Sequence, residues 1–387
     1  MKIIKFQDTT LRDGEQTPGI AFNFDDKLAL TRIICKLGID SMELGFPAVS
    51  PEESDTIKKI SKEVINENIT FCVFSRALKS DIKVSNESIK LLKNKKIQIV
   101  APSSDLHILH STNENRKSII KNVKDSIDYA RNFFENIQFT AQDAPRADRK
   151  FLEDLIGVAI NNGASTICLP DTVGYCLPNE YQSLIRYVKK IIKPFNNIKI
   201  AAHCHNDLGL ATANTIAAIE SGVDQVECTL NGIGERAGNT PLEEVAAILD
   251  LKDPEKISKN LNLKFIKRAS AQVEKITRIK IHSNKPILGR NVFMHASGMH
   301  QRAIIENIKT FEILDANKFG FKGGKIALGK VSGRAGVESL LKKAGIKLSK
   351  NDLNNFIVYL KNRALDDKKF NYQNIKILLK DFYKENK

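Results

Sequence analysis

Short β-rich runs alternate with helix-like stretches through the first two-thirds of this 387-residue chain, and that rhythm predicts an α/β fold. The runs cover 3–7, 41–46, 70–75, 97–101, 137–141, 165–170, 198–203 and 225–229. Between them, 25–37, 52–64, 116–132, 150–162, 179–192 and 209–221 read as helices. About eight strands spread over roughly 250 residues match the size of a (β/α)8 TIM barrel. The rival, a doubly wound open sheet, expects a GxGxxG turn after its first strand, and none is present.

Past residue 250 the pattern changes. Lysine-rich helical segments (256–280) lead into a stretch with many glycines (289–336) and then a helical, very basic tail. This divides the chain into a barrel domain, 1–250, and a mainly helical C-terminal accessory region, 251–387, too short for a second full catalytic domain.

Composition narrows the class. Apolar residues at 42% and charged residues at 27% suit a soluble enzyme. No apolar run is long enough to span a membrane, and the N-terminus enters a strand without a signal-peptide pattern. The cysteines at 35, 72, 168, 176, 204 and 228 are scattered, form no CxxC and lie partly in strands, so buried thiols and a cytoplasmic location are expected. A net charge of +15 invites a nucleic-acid reading. The lysines are dispersed, however, and no basic helix interleaved with aromatics appears, so a surface favouring anionic substrates is the better account.

Three segments carry chemistry. Asp8-Thr9-Thr10-Leu11-Arg12-Asp13 closes the first run. His203-Cys204-His205 closes the seventh, and strand alternation sends both imidazoles to one side. An H-x-H pair alone is a weak signal. In a barrel the C-terminal strand ends meet, so Asp13 converges with His203 and His205, a set suited to Mg²⁺, Mn²⁺, Co²⁺ or Zn²⁺. Arg12 beside them supplies a fixed cation for a developing oxyanion. The third segment, Asn231-Gly232-Ile233-Gly234-Glu235-Arg236-Ala237-Gly238-Asn239, offers glycines at Gly232 and Gly234 for close backbone approach to a cofactor. In it Arg236 suits a phosphate and Asn239 offers an amide oxygen as a fourth metal contact.

Together DTTLRDGEQ, HCHNDLGLA and NGIGERAGN resemble, in order and nearly letter for letter, the 2-isopropylmalate synthase and homocitrate synthase family of metal-dependent acyltransferases. Phe46-Pro47, Arg76 to Ile82, Pro170 to Tyr175, His295-Ala296-Ser297-Gly298-Met299-His300 and Gly333-Arg334 extend the resemblance to about residue 340. It implies a TIM barrel with a divalent metal on Asp13, His203 and His205, and with Asn239 supporting or completing the set. Arg12 then polarises the keto oxygen of a 2-oxoacid, Thr172 contacts its carboxylate, and Arg76, Thr140 and Gln142 stand at substrate-facing positions. His300, by itself an ordinary loop histidine like His295, becomes the general base and reaches into the partner's barrel. A homodimer with exchanged C-terminal regions is thus expected. Acetyl-CoA loses a methyl proton, its enolate attacks the keto carbon, and the thioester is then hydrolysed.

The resemblance breaks at three positions. Gln142 stands where the family has a glutamate, which moves any carboxylate role elsewhere, with Asp143 the nearest candidate. Phe311 replaces a tyrosine, and Val331 a histidine. Glu43 to Pro47 and Val226 to Asn231 are similar to enzymes acting on 2-oxoisovalerate, in leucine biosynthesis. Thr17 to Phe22 and Ala144 to Asp148 are similar to homocitrate and Re-type citrate synthases. The expected activity is 2-isopropylmalate synthesis, with homocitrate, citramalate or Re-citrate synthesis as alternatives. A retro-aldol lyase of the same barrel type and a weakly catalytic metal-binding paralogue are the readings from other classes. No leucine-sensing domain, and so no leucine inhibition through one, is expected.

Overall fold

A computed structural model describes residues 2–366 and 374–385, so part of the basic tail read from the sequence lies outside the described residues. The chain divides into two compact units, Met1–Lys280 and Ile281–Lys387. The first is a closed parallel barrel with strand order β1 to β8. Its strands are β1 Lys5–Asp8, β2 Ser41–Glu43, β3 Thr70–Arg76, β4 Lys95–Pro102, β5 Asn136–Gln142, β6 Thr166–Asp171, β7 Lys199–Cys204 and β8 Gln225–Cys228. Each is followed by at least one helix, and β8 pairs back onto β1.

The helices form where amphipathic runs meet good caps. Phe24–Leu37 starts on a capping box in which Asn23 accepts from the Asp26 N–H, and ends on Gly38 in the left-handed region. Outward strand residues such as Phe71, Ile97, Phe139, Ile167 and Ile200 are fully or nearly fully buried beneath the helix layer. The first unit runs to Lys280 rather than to residue 250. Its extension is bonded to the barrel through Ile4 N–H to Lys256 O (2.8 Å) and Asn262 N–H to Leu37 O (2.8 Å). The helix Ile266–Thr277 also buries Ile266, Ala269 and Val273.

Branched apolar side chains dominate the interior of most such barrels. Here alternation sends Gln7, Lys96, Gln98, Gln138, Gln225 and Glu227 inward, and they satisfy one another. Lys96 Nζ donates to Gln7 Oε1 (2.6 Å) and Gln225 Oε1 (3.1 Å). Gln138 Nε2 donates to Gln98 Oε1 (2.8 Å) and Glu227 Oε1 (2.6 Å). A buried polar layer is stable only when its donors and acceptors meet in this way.

In the second unit β9 Met294–His295 pairs with β10 Lys325–Ile326. The helix Gly298–Glu306 lies between them, and Arg334–Lys343, Lys350–Asp366 and Ile375–Glu385 follow, with Val337, Phe356, Leu360 and Phe382 in the core. All six cysteines are unpaired, and no described helix is long and apolar enough to cross a membrane.

Candidate metal centre and active site

At the C-terminal end of the barrel, Asp13, His203 and His205 converge. His203 Nε2 lies 3.3 Å from His205 Nε2, and the two lie 3.6 and 3.8 Å from Asp13 Oδ2. Donors about 2.0–2.2 Å from one cation are separated from each other by roughly 3–3.5 Å. The three atoms therefore need only close slightly to share an ion. All three residues are buried.

Their surroundings push Asp13 and His205 toward the ligating form. Burial would raise the Asp13 carboxyl, but Arg12, His205 and His203 outweigh it and hold it well below the usual range. Burial depresses His205 to about 3, against the pull of Asp13, so its imidazole is neutral at pH 7. Burial lowers His203, but the Glu227 carboxylate, with Oε2 3.0 Å from Nδ1, and Asp13 outweigh it and raise the imidazole; Glu227 holds a ring proton on Nδ1, so Nε2 is the atom that would turn to a metal. Asp13, Glu43 and Glu227 are all buried around Arg12.

Asn239 donates its Nδ2 to Asp13 Oδ1 at 2.6 Å, and its own Oδ1 is buried with no hydrogen-bond partner. It thus orients the carboxylate and presents a further oxygen. Gly234 makes this possible: a Cβ there would lie 2.1 Å from Asn239 Nδ2 and 3.0 Å from Asp13 Oδ1. A Cβ at Gly232, where φ is +71°, would meet Pro241 Cγ at 2.8 Å. Both glycines are therefore required by the packing of their own loop. Gly234→Ala is expected to push Asn239 off Asp13 and weaken metal binding about 10- to 100-fold. Chelator competition checks this, and an unchanged affinity would remove Asn239 from the site.

Arg12 is held on three sides. Nε donates to Glu43 Oε2 (2.7 Å), Nη1 donates to Asp13 Oδ2 (2.6 Å), and Cζ lies 4.7 Å from the Phe74 ring centroid. A cavity of about 230 Å³ opens beside it, lined in part by Gln98, Thr140, Gln142, Thr172, Glu235 and Arg236. Thr172 Oγ1 accepts the Asp143 N–H at 2.9 Å, which leaves its own proton for a ligand.

Three candidates stand differently from expectation. Arg76 lies outside this cavity, bound to Asp81 through Nε (2.7 Å) and Nη2 (3.1 Å). Arg236 lines the cavity, but its fork is taken by Asp207 (2.8 and 2.9 Å), with a further bond to Thr172 O. Asp143 cannot replace the missing glutamate: it is buried, accepts from Arg146 and Ser104, and does not line the cavity. Two carboxylates escaped the sequence reading, Glu43 and Glu227. Their signal was an acid on the inward face of a barrel strand, where burial demands a cation or a donor.

In the second unit His300 lies on the helix Gly298–Glu306 and stacks on Phe311, with centroids 3.8 Å apart and planes 25° apart. Val331 O accepts the Gly298 N–H that opens this helix. His295 is paired with buried Glu312 at 2.9 Å. Two of the three departures from the family pattern therefore bear directly on the setting of His300.

Residues 3–273 match the HMGL-like family model, and 287–369 match the homocitrate synthase post-HMGL domain-like model. The chain belongs to the HMGL-like family. Over 362 residues it is 41% identical to a 2-isopropylmalate synthase of Pyrococcus furiosus, covering 93% of this chain and 72% of that protein. A relative from Caldanaerobacter subterraneus subsp. tengcongensis, named 2-isopropylmalate synthase 1, is 41% identical, with 95% and 92% covered. A hydroxymethylglutaryl-CoA lyase structure from Pseudomonas aeruginosa superposes with a TM-score of 0.62 at 18% identity. It covers 72% of this chain and 94% of its own, a likeness of fold.

Proposed function

We propose that this chain is an acyltransferase that condenses acetyl-CoA with a 2-oxoacid to give a 2-alkylmalate, in the manner of a 2-isopropylmalate synthase of leucine biosynthesis. The observation that carries the reading is the Asp13–His203–His205 cluster beside Arg12, in a chain that continues into a homocitrate synthase-type second domain. That second domain weighs against a lyase, since the Pseudomonas lyase spends 94% of its length on 72% of this chain.

Asp13, His203 and His205, with Asn239 beside them, would hold the divalent cation: Mg²⁺, Mn²⁺, Co²⁺ or Zn²⁺. When bound, it supplies Lewis-acid polarisation of the oxoacid. The chain does the rest. Thr172 donates its hydroxyl to the oxoacid carboxylate. Arg12, unable to deprotonate and fixed by Glu43, stabilises the alkoxide that develops at the keto oxygen. His300 takes the methyl proton of acetyl-CoA as the general base, an imidazole nitrogen being the acceptor. Phe311 holds the imidazole by stacking and brings no hydroxyl. Water then releases CoA from the thioester.

We assign His300 to the barrel of a partner subunit in a homodimer. Two separate surfaces support this. Beside His300, Met299 and Phe311 are exposed, as is Ile313. On the loops after the barrel strands, Val49, Leu106, Leu109 and Leu208 are exposed. A dimer contact would cover these apolar side chains. Six unpaired thiols support a cytoplasmic setting.

The test is CoA release from acetyl-CoA by metal-loaded protein, with pyruvate, 2-oxoisovalerate, 2-oxoglutarate and oxaloacetate. Release dependent on 2-oxoisovalerate is expected. No release with any of the four would favour the weakly catalytic reading, for which Gln142 in the cavity is the specific observation. Recovery of release in a Gln142→Glu, Phe311→Tyr double variant would then confirm that reading.

A further inference from the structure

A second cavity, of about 510 Å³, lies on the same barrel face between the ends of β3 and β4 and the helix Arg116–Ala130. Nothing in the reaction above uses it. Phe74, Val100 and Gln142 line both cavities and so form the partition between them. The apolar residues lining the metal cavity are Phe74, Val100 and Pro170, and two of these three stand at that partition. A substituent leaving the polar end of a bound oxoacid is thereby directed toward it.

Each side of the partition has a structural cause. Phe74 lies under Arg12 and meets Phe46 edge-on, with centroids 5.2 Å apart. Val100 stands two residues beyond inward-facing Gln98 on β4, so alternation turns it inward as well. Beyond the partition Phe46, Leu78, Pro102 and Ile119 give mainly apolar walls.

The charged groups there are already engaged. Arg76 is bound through two nitrogens to Asp81, and Glu114 accepts from Asn122 at 2.9 Å. A second carboxylate entering this space would find an occupied guanidinium and the Glu114 anion. An alkyl chain would find apolar wall.

We propose that this cavity receives the side chain of an aliphatic 2-oxoacid longer than 2-oxoisovalerate, with Phe74 and Val100 setting the accepted chain length. The proposal rests on the acyltransferase reading for the position of the oxoacid head, and it selects monocarboxylic over dicarboxylic substrates.

The test is a straight-chain series, 2-oxobutanoate through 2-oxooctanoate, assayed with wild type, Val100→Phe and Ala77→Phe. Ala77 lines the second cavity only. In wild type each added methylene up to 2-oxohexanoate should raise kcat/KM about fourfold, the equivalent of about 0.8 kcal/mol per buried CH₂. Both variants should lower the 2-oxohexanoate to 2-oxobutanoate ratio about tenfold, with the KM for acetyl-CoA unchanged. A flat or falling wild-type series overturns the proposal, as does a preference for 2-oxoglutarate or oxaloacetate. So does an unmoved ratio in both variants with a raised KM for acetyl-CoA, which would give the cavity to the thioester arm. Titration calorimetry of the same acids with Mg²⁺-loaded protein separates the two readings. Chain-length-dependent binding without CoA release upholds the cavity and overturns the acyltransferase; CoA release with a flat series does the reverse.

Discussion

Asp13→Ala is expected to lose the metal and the activity together. Oδ2 is the atom that faces both imidazoles and accepts from Arg12, while Oδ1 accepts from Asn239 and, at 3.4 Å, from the Glu235 N–H. Removing the carboxylate deletes one of three donors. It also frees Asn239, and leaves Arg12 with Glu43 alone. The metal dissociation constant should rise at least about 100-fold. Oxoacid-dependent CoA release should fall at least about a thousandfold, the scale of losing several kcal/mol of charge stabilisation. Stability should change by less, about 1–3 kcal/mol, because the orphaned groups still border a cavity. Chelator competition, a CoA-release assay and thermal melting measure the three effects. Normal turnover in this variant would refute the proposed centre.

The barrel was legible because its outward strand residues are apolar and its turns are clearly punctuated. Predicted 70–75, 137–141 and 198–203 became Thr70–Arg76, Asn136–Gln142 and Lys199–Cys204. One two-residue slip at a strand start is instructive. β4 begins at Lys95 rather than at residue 97, because Lys96, which reads as a loop residue, points inward onto Gln7 and Gln225. A lysine inside a barrel is tolerable only where other strands bring acceptors, and a single strand carries no record of those. Glu227 was overlooked for the same reason. Its partners Gln7 and His203 sit beside it across the sheet, 220 and 24 residues away in sequence.

Loop chemistry was harder to read than strands. The turn 231–239 looked like a ligand cradle because glycines and an arginine often build one. In the folded chain the glycines accommodate Asn239 and Pro241, and Arg236 latches onto Asp207. The loop's polar groups also serve Asp13 and its own neighbours, which the composition alone does not reveal. Gln142 and Phe311, found as departures from a pattern, do occupy chemically exposed places, one in the metal cavity and one against His300.

Glu227→Gln is expected to weaken metal binding about 10- to 100-fold while leaving Asp13, His203 and His205 intact. Oε2 of Glu227 faces His203 Nδ1, and Oε1 accepts from Gln138 Nε2 (2.6 Å) and Gln7 Nε2 (3.2 Å). Burial would raise this carboxyl, but His203, Lys96 and Gln138 hold it below its ordinary value, so the native group offers acceptors to both sides. A glutamine has one acceptor and one donor. With its oxygen toward His203, its NH₂ meets the NH₂ groups of Gln138 and Gln7, and buried donors face donors. Turned over, its NH₂ meets His203 Nδ1 and drives the ring proton to Nε2, where the metal needs a lone pair. Either orientation leaves buried groups unsatisfied, at about 1–3 kcal/mol. Titration with Co²⁺, read by its visible absorption, measures the affinity directly. An unchanged dissociation constant would mean that the amide layer is barrel packing alone, and that His203 takes its tautomer from elsewhere.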